Sequence, residues 1–318
     1  MRNFYLNPAF FVSLLLAALA TPSAAMGLMV EPAPADCGVP TAALPQPPMA
    51  AAQRLAGSHV VRGQRDISWA WLGSPTVRYP HAALGSRTHA GSVHVLMASP
   101  SGALQEVVYN LPINRVFEDL TLRLADLDQD GRDEIIVIES DALRGSSVVV
   151  LGLQNGNTLK ELARSPPTGS TFRWLNPVGV ADFDGDGKQD VAAVITPHVG
   201  GELTLYHYRP PQLVPYAKAM DTSNHRMGSP EQQLAVIIQQ TGVRPTIIVP
   251  DMSLKALHAL RWEKSDRTGE TGKWKELADV MPLPARVERI TRITDAQGAA
   301  CVLLADATWR RITLTETH

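Results

Sequence analysis

Two acidic loops in one register constrain this chain more than any other feature. The stretches ADLDQDGRDEIIVIES (125–140) and ADFDGDGKQDVAAVI (181–195) place Asp126, Asp128 and Asp130, then Asp182, Asp184 and Asp186, on alternate positions. Gly131 and Gly187 follow, 56 residues apart. Three carboxylates this close repel one another unless a cation lies between them. Glycine at the sixth position permits the sharp turn that makes alternate side chains converge. Counted from the first Asp, the seventh residue (Arg132, Lys188) offers a backbone carbonyl whatever its side chain, and the ninth is Glu134 or Asp190. Hard oxygen ligands in this number suit calcium better than magnesium, which holds to octahedral geometry and keeps its waters. An EF-hand needs an acid at the twelfth position, where this chain has Val137 and Ala193, and helices on both sides. A pair of plain acidic turns is the competing reading. Repetition in one register favours two metal sites.

The same step continues along the chain. Gly242 in LAVIIQQTGVRPTIIVPD (234–251) lies 55 residues after Gly187, and Gly298 in ITRITDAQGAACVLLAD (290–306) lies 56 further on. Both stretches read as strand, turn, strand without the acids. A step backward from Gly131 lands on DISWAWLGSPTVRYPHAAL (66–84), with a Gly- and Pro-containing turn between apolar runs. Strand candidates such as SSVVVLGL (146–153) and ELTLYHYR (202–209) follow the acidic loops, and no long stretch has helical apolar spacing. A repeat of this size in an all-β chain predicts a β-propeller with four-stranded antiparallel blades. Five blades of about 55 residues fill the chain after its linker. The last unit is short, and RLAGSHVVRGQ (54–64) is the expected piece that completes it.

The two motifs resemble the FG-GAP/VCBS repeat of integrin α-subunit propellers and many secreted bacterial proteins, whose pattern is Asp-x-Asp/Asn-x-Asp-Gly-x-x-Asp before a strand. The resemblance covers roughly residues 120–210. It implies a β-propeller with calcium in the turn after a blade's inner strand, hence two structural ions. Glu134 in the ninth position departs mildly from the pattern, and the three units without acids should hold no calcium.

The N-terminus has one early charge, Arg2, an apolar stretch at 9–20 and the small residues Ser23, Ala24 and Ala25. This is the pattern of a secretory signal over residues 1–25. Residues 26–53 read as a Pro/Ala-rich linker, with six prolines between 31 and 52, and 54–318 as the propeller domain. The mature chain is expected to be secreted or periplasmic and not inserted in a membrane. A formal charge of −2 without a Lys/Arg run gives no electrostatic case for nucleic acid. Cys37 and Cys301 can pair in an oxidising compartment, or remain unrelated thiols; pairing is preferred.

Catalytic signatures are missing from the sequence, and a non-enzymatic protein is expected. His207 in LYHYR reads as an outward strand residue. On the face opposite the calcium turns, the loops entering the inner strands carry Asn114, Arg115, Glu118 and Asp119, then Phe172, Arg173, Trp174 and Asn176, with Arg286 and Glu288 near the last unit. Arg115, Glu118, Asp119, Arg173, Trp174 and Asn176 are the candidate ligand-face residues. An Arg–Trp pair there could stack on a sugar or anchor a protein, while Trp174, like Trp69 and Trp71, could equally pack between blades. The first reading is a protein-interaction scaffold with an unidentified protein partner. The alternative is a lectin-like or carbohydrate-active propeller, for which Glu118, Asp119 and Glu288 are the acids to test.

Overall fold

Val-, Ile- and Leu-rich runs punctuated by Gly, Pro and Asp set the strands. The computed structural model describes residues 25–35, 37, 53–98, 102–155, 157–265, 271–293 and 298–317, and among these there is no helix. After β1 (Ala25–Ala33) the chain lays down successive antiparallel groups of four. The first joins β2 (Val61–Arg62), β3 (Ile67–Thr76), β4 (His89–Ala98) and β5 (Leu104–Asn110). A short β6 (Arg115–Phe117) bridges to the second group, β7 (Arg123–Ala125), β8 (Glu134–Asp141), β9 (Gly145–Gln154) and β10 (Thr158–Arg164). The third is β11 (Leu175–Ala181), β12 (Asp190–Ile195), β13 (Glu202–Arg209) and β14 (Gln212–Ala219). Next come β15 (Val236–Ile238), β16 (Thr246–Pro250), β17 (Ala256–Lys264) and β18 (Gly272–Glu276), with β19 (Met281–Pro282) beside β17. The last is β20 (Val287–Arg292), β21 (Ala300–Leu304) and β22 (Trp309–Thr317), and its fourth strand is β1.

Antiparallel order sends alternate turns to opposite ends of every group. The acidic loops occupy the turns β7–β8 and β11–β12. Arg65 in the turn β2–β3 and Lys264 at the end of β17 touch these loops, so four groups share one acidic face. The remaining turns interlock on the opposite face: the Phe172 amide donates to the Tyr79 hydroxyl, Thr222 to the Gly201 carbonyl and Gly228 to the Ala83 carbonyl. β8 is buried along its whole length, because neighbouring groups cover both its faces.

Gly131, Gly187, Gly242 and Gly298 all sit in the turn after the first strand of their group, with φ between 66° and 90°. The repeat register is thus a repeat of left-handed turn positions, which glycine adopts without a Cβ clash. In the first group the register slips: GSPT belongs to β3, and the turn after the first strand is 63–66. The strand candidates 146–153 and 202–209 lie in the third strands β9 and β13.

Two assignments at the N-terminus are corrected. Residues 26–33 are not linker: they belong to β1, which pairs over nine residues from Ala25↔Thr317 to Ala33↔Trp309. This strand completes the last group, and residues 54–64 instead supply β2 to the first. Pro32 misleads in sequence but is tolerated on an outermost strand, whose free edge needs no donor. Cys37 and Cys301 form a disulfide, Cα–Cα 5.7 Å. The signal-like residues 1–24 and residues 38–52 lie outside the described residues.

Candidate metal centres and the opposite face

The two acidic loops fold alike. In the first, Gly131 N–H donates to Asp126 Oδ2 (3.1 Å), Arg132 N–H to Asp130 Oδ1 (2.9 Å) and Leu127 N–H to Glu134 Oε2 (2.7 Å). In the second, the equivalent bonds run from Gly187 to Asp182 Oδ2 (3.0 Å), Lys188 to Asp186 Oδ1 (2.8 Å) and Phe183 to Asp190 Oδ2 (3.2 Å). Asp126, Asp128 and Glu134 bring one carboxylate oxygen each within 4.8 Å of the others, and so do Asp182, Asp184 and Asp190. Asp130 and Asp186 stand outside these triplets and accept the amides of Arg132 and Lys188. The side chain of Arg132 leaves its loop for Asp66 (Nε–Oδ2 3.0 Å).

The donor set fits a hard divalent cation. Asp126 Oδ1 and Asp184 Oδ2 are buried without any hydrogen-bond donor, and Asp184 is 0% exposed. A buried carboxylate oxygen left unsatisfied costs a few kcal/mol, which a cation at that point removes. Burial, reinforced by Asp128, Asp130 and Asp126, pushes the Glu134 carboxyl up to about 7. Burial also raises Asp184, with Asp190 and Asp186 adding to the effect.

The loops are clasped by their neighbours. Arg65 reaches Asp126 (3.4 Å) and Asp133 (2.8 Å). Gln129 Nε2 donates to the Gly187 carbonyl, so the two loops touch, and Lys264 Nζ donates to the Gly185 carbonyl (3.3 Å). His207, expected to point outward, is buried with Nδ1 3.1 Å from Asp190 Oδ1. Its ring stacks at 3.9 Å on Tyr216, whose hydroxyl donates to Asp190 Oδ2 (2.9 Å). Sequence reasoning missed both because they approach from neighbouring strands: His207 is the cross-strand partner of Asp190.

On the opposite face, four of the six candidate ligand residues are interior. Glu118, 0% exposed, holds His81 Nδ1 (2.7 Å) and the Ser140 hydroxyl (2.7 Å). Asp119 accepts the Leu120, Thr121 and Ile138 amides and Arg123 Nη1. The Asn176 side-chain amide donates to the Asn224 and Gln232 carbonyls, while the Asn224 side-chain amide donates to the Asn176 carbonyl and Gln232 Nε2 to Asn176 Oδ1. Buried Trp174 donates to the Glu118 carbonyl (3.0 Å) and packs on His198 and His225, which share an Nε2–Nδ1 hydrogen bond of 2.8 Å. Burial holds these two imidazoles down, at about 4 and about 3. These polar side chains are covered because the segment 220–235 folds over them. Arg115 is half-buried against Glu139 (3.4 Å) and Asp141 (3.3 Å); Arg173 is exposed with a guanidinium free of partners among the described residues. Glu288 pairs with Arg226 and Arg286.

What this face exposes instead is apolar. Of the twelve large hydrophobic side chains exposed among the described residues, eight lie in its turns: Val77, Ile113, Leu143, Phe172, Val199, Met220, Met227 and Val280. Only Val243 lies in a turn on the acidic side, and Met29, Leu104 and Val108 are on strands.

The model of the FG-GAP-like repeat matches residues 123–193, spanning both acidic loops. No curated protein matches the chain. Solved structures that match part of the chain include the rhamnogalacturonan lyase YesW (12% identity, TM-score 0.35, covering 67% of this chain and 48% of that one). A Bacteroides fragilis protein assigned as a 6-phosphogluconolactonase has 13% identity and TM-score 0.37 over 77% of this chain and 62% of that one. A Bacillus licheniformis rhamnogalacturonan lyase has 12% identity and TM-score 0.36 over 70% and 48%. The chain therefore spans less than two thirds of the length of each.

Proposed function

Because the chain is an FG-GAP-like repeat protein over residues 123–193, we propose that it is a five-bladed β-propeller, secreted or periplasmic, that binds two structural calcium ions and docks a protein partner on the face opposite them. Five groups of four strands, the last completed by β1, support the blade count. The paired orphan oxygens Asp126 Oδ1 and Asp184 Oδ2 support the ions, and oxygen-only ligation favours calcium. The Cys37–Cys301 bridge is in keeping with an oxidising compartment.

The observation that carries the docking role is the gathering of eight exposed apolar side chains on one face. Single exposed hydrophobics are ordinary, whereas a collection on one side marks an interaction surface. The test is capture from an envelope extract by the immobilised mature chain. Leu143→Ser with Val199→Ser should abolish recovery of the captured protein, and Val243→Ser on the acidic face should not. Equal recovery by all three proteins would refute docking on this face.

A further inference from the structure

Resting on that docking role, the turns of the first three groups define the partner's chemistry. Residues 77–88, 111–115, 142–144, 165–174 and 196–201 contain five arginines (Arg78, Arg87, Arg115, Arg144, Arg173) and no Asp or Glu. The acidic-face turns of the same groups, 63–66, 126–133 and 182–189, contain eight aspartates and three basic residues. The connection 118–122 on the same face adds Glu118 and Asp119, but both are buried, so the exposed charge of these turns is basic. Arg115 and Arg144 are offset by Asp141 beneath them, and Arg78 donates to the Arg115 carbonyl. Arg87 and Arg173 are exposed and have no side-chain partner among the described residues.

The same turns carry Ile113 and Leu143, 80% and 81% exposed, and Phe172, 45% exposed. Their turns are tied into one surface. Ala142 N–H donates to the Asn114 carbonyl (3.0 Å), Gly169 N–H to the Arg144 carbonyl (2.9 Å), and the Thr171 hydroxyl to the Ala142 carbonyl. The Phe172 ring lies 5.2 Å from His81 and 5.3 Å from Tyr79. Phe172 itself has φ 62°, a region that bulky side chains avoid at a cost of about 1–3 kcal/mol. The Tyr79 and His81 contacts hold the turn in that conformation with its ring half out to solvent, and fixed loops lower the entropy lost on binding.

We propose that this sector docks an acidic protein segment bearing an apolar anchor, the anchor seated among Phe172, Leu143 and Ile113 and its flanking carboxylates on Arg173 and Arg87. Guanidinium forks match carboxylates in a bidentate geometry. An anionic lipid surface would also attract arginines and apolar tips, but it needs no cross-linked, pre-shaped loops; the rigidity here favours a segment of defined shape.

The test selects peptides from a displayed random library on the immobilised mature chain and measures the winners by fluorescence anisotropy. Vesicles of phosphatidylglycerol are assayed in parallel. Selected peptides should carry Asp or Glu around an aromatic or branched residue. Arg173→Glu and Leu143→Ser should each weaken them about tenfold or more, Lys273→Glu at an exposed position of β18 should not, and melting temperatures should be unchanged. Peptides that lack acids, lose affinity with Leu143→Ser and ignore Arg173→Glu would overturn the acidic partner while leaving protein docking intact. Vesicle binding without any selected peptide would overturn both in favour of lipid. Binding of neither probe to this face would also overturn both.

Discussion

Removing the Cys37–Cys301 bridge should cost more than a surface disulfide ordinarily does, because of where it closes the chain. Its sequence separation is 264 residues. In the chain-entropy account, a closed loop that long restricts the unfolded state by about 5 to 6 kcal/mol at room temperature. The native side of the balance is local. β1 holds to β22 by one ladder, with Leu28 and Val30 as its contribution to the last core cluster. Cys37→Ala breaks the bridge and leaves buried Cys301 in place, so no cavity term is added. Denaturant unfolding of the variant should show a loss of about 3 to 6 kcal/mol. Amide exchange should accelerate first in β22, around Ile312 and Leu314, as β1 detaches and exposes that edge. A loss below about 1 kcal/mol with unchanged exchange in β22 would refute the reasoning, since neither the long loop nor β1 would then depend on the bridge.

Other expectations follow from the acidic loops and from Phe172. At about 1 mM, calcium should stabilise the protein by about 0.4 to 1.4 kcal/mol per site relative to EDTA, and Asp184→Ala and Asp128→Ala should each remove part of the rise in melting temperature. Glu134 titrates near 7 in the fold, above the usual carboxylate range. Its favourable contribution is therefore complete below about pH 4 and is lost as pH rises through 7. In EDTA the melting temperature should carry a decline from about pH 5 to about pH 8 that Glu134→Gln abolishes, and calcium should stabilise more at the higher pH. Phe172→Gly should move the denaturation midpoint little, since relief of the left-handed backbone is offset by the lost ring contacts with Tyr79 and His81 and by glycine's freedom in the unfolded chain, while weakening the selected peptides. Gln129→Ala should leave the fold intact and slacken the contact between the loops, read as faster exchange of the amides around Gly187.

The acidic loops were legible because their chemistry is local: the residues that converge are within nine positions, and Gly131 and Gly187 mark the turn that brings them together. The period carried that register to Gly242 and Gly298, where the acids are gone but the left-handed turn remains. Contacts across strands were not legible. His207 reaches Asp190 only after β12 and β13 align, and Tyr216 only after β14 folds back. Glu118, Asp119 and Trp174 sit in turns that look exposed and Asn176 at the start of β11, and their burial depends on Gln232 and His225 arriving from about 50 to 115 residues away. β1 was hidden by Pro32 and by the proline-rich stretch after it, since an edge strand bonded on one side can carry Pro32 and a central strand cannot. Arg173 and Phe172 were named from sequence, but their apolar company required the turns Leu143 and Ile113 to be set beside them.

The pairing of Ala25 with Thr317 places both ends of the described chain on one edge, at the side of the aspartate turns. A segment continuing directly from either of these strand ends, whether a purification handle, a surface tether or a further module, starts from that side. A molecule held by its ends would present Leu143, Phe172 and Arg173 outward, away from the support. Orientation on an array or at an envelope would thus come from strand order alone, without any steering element.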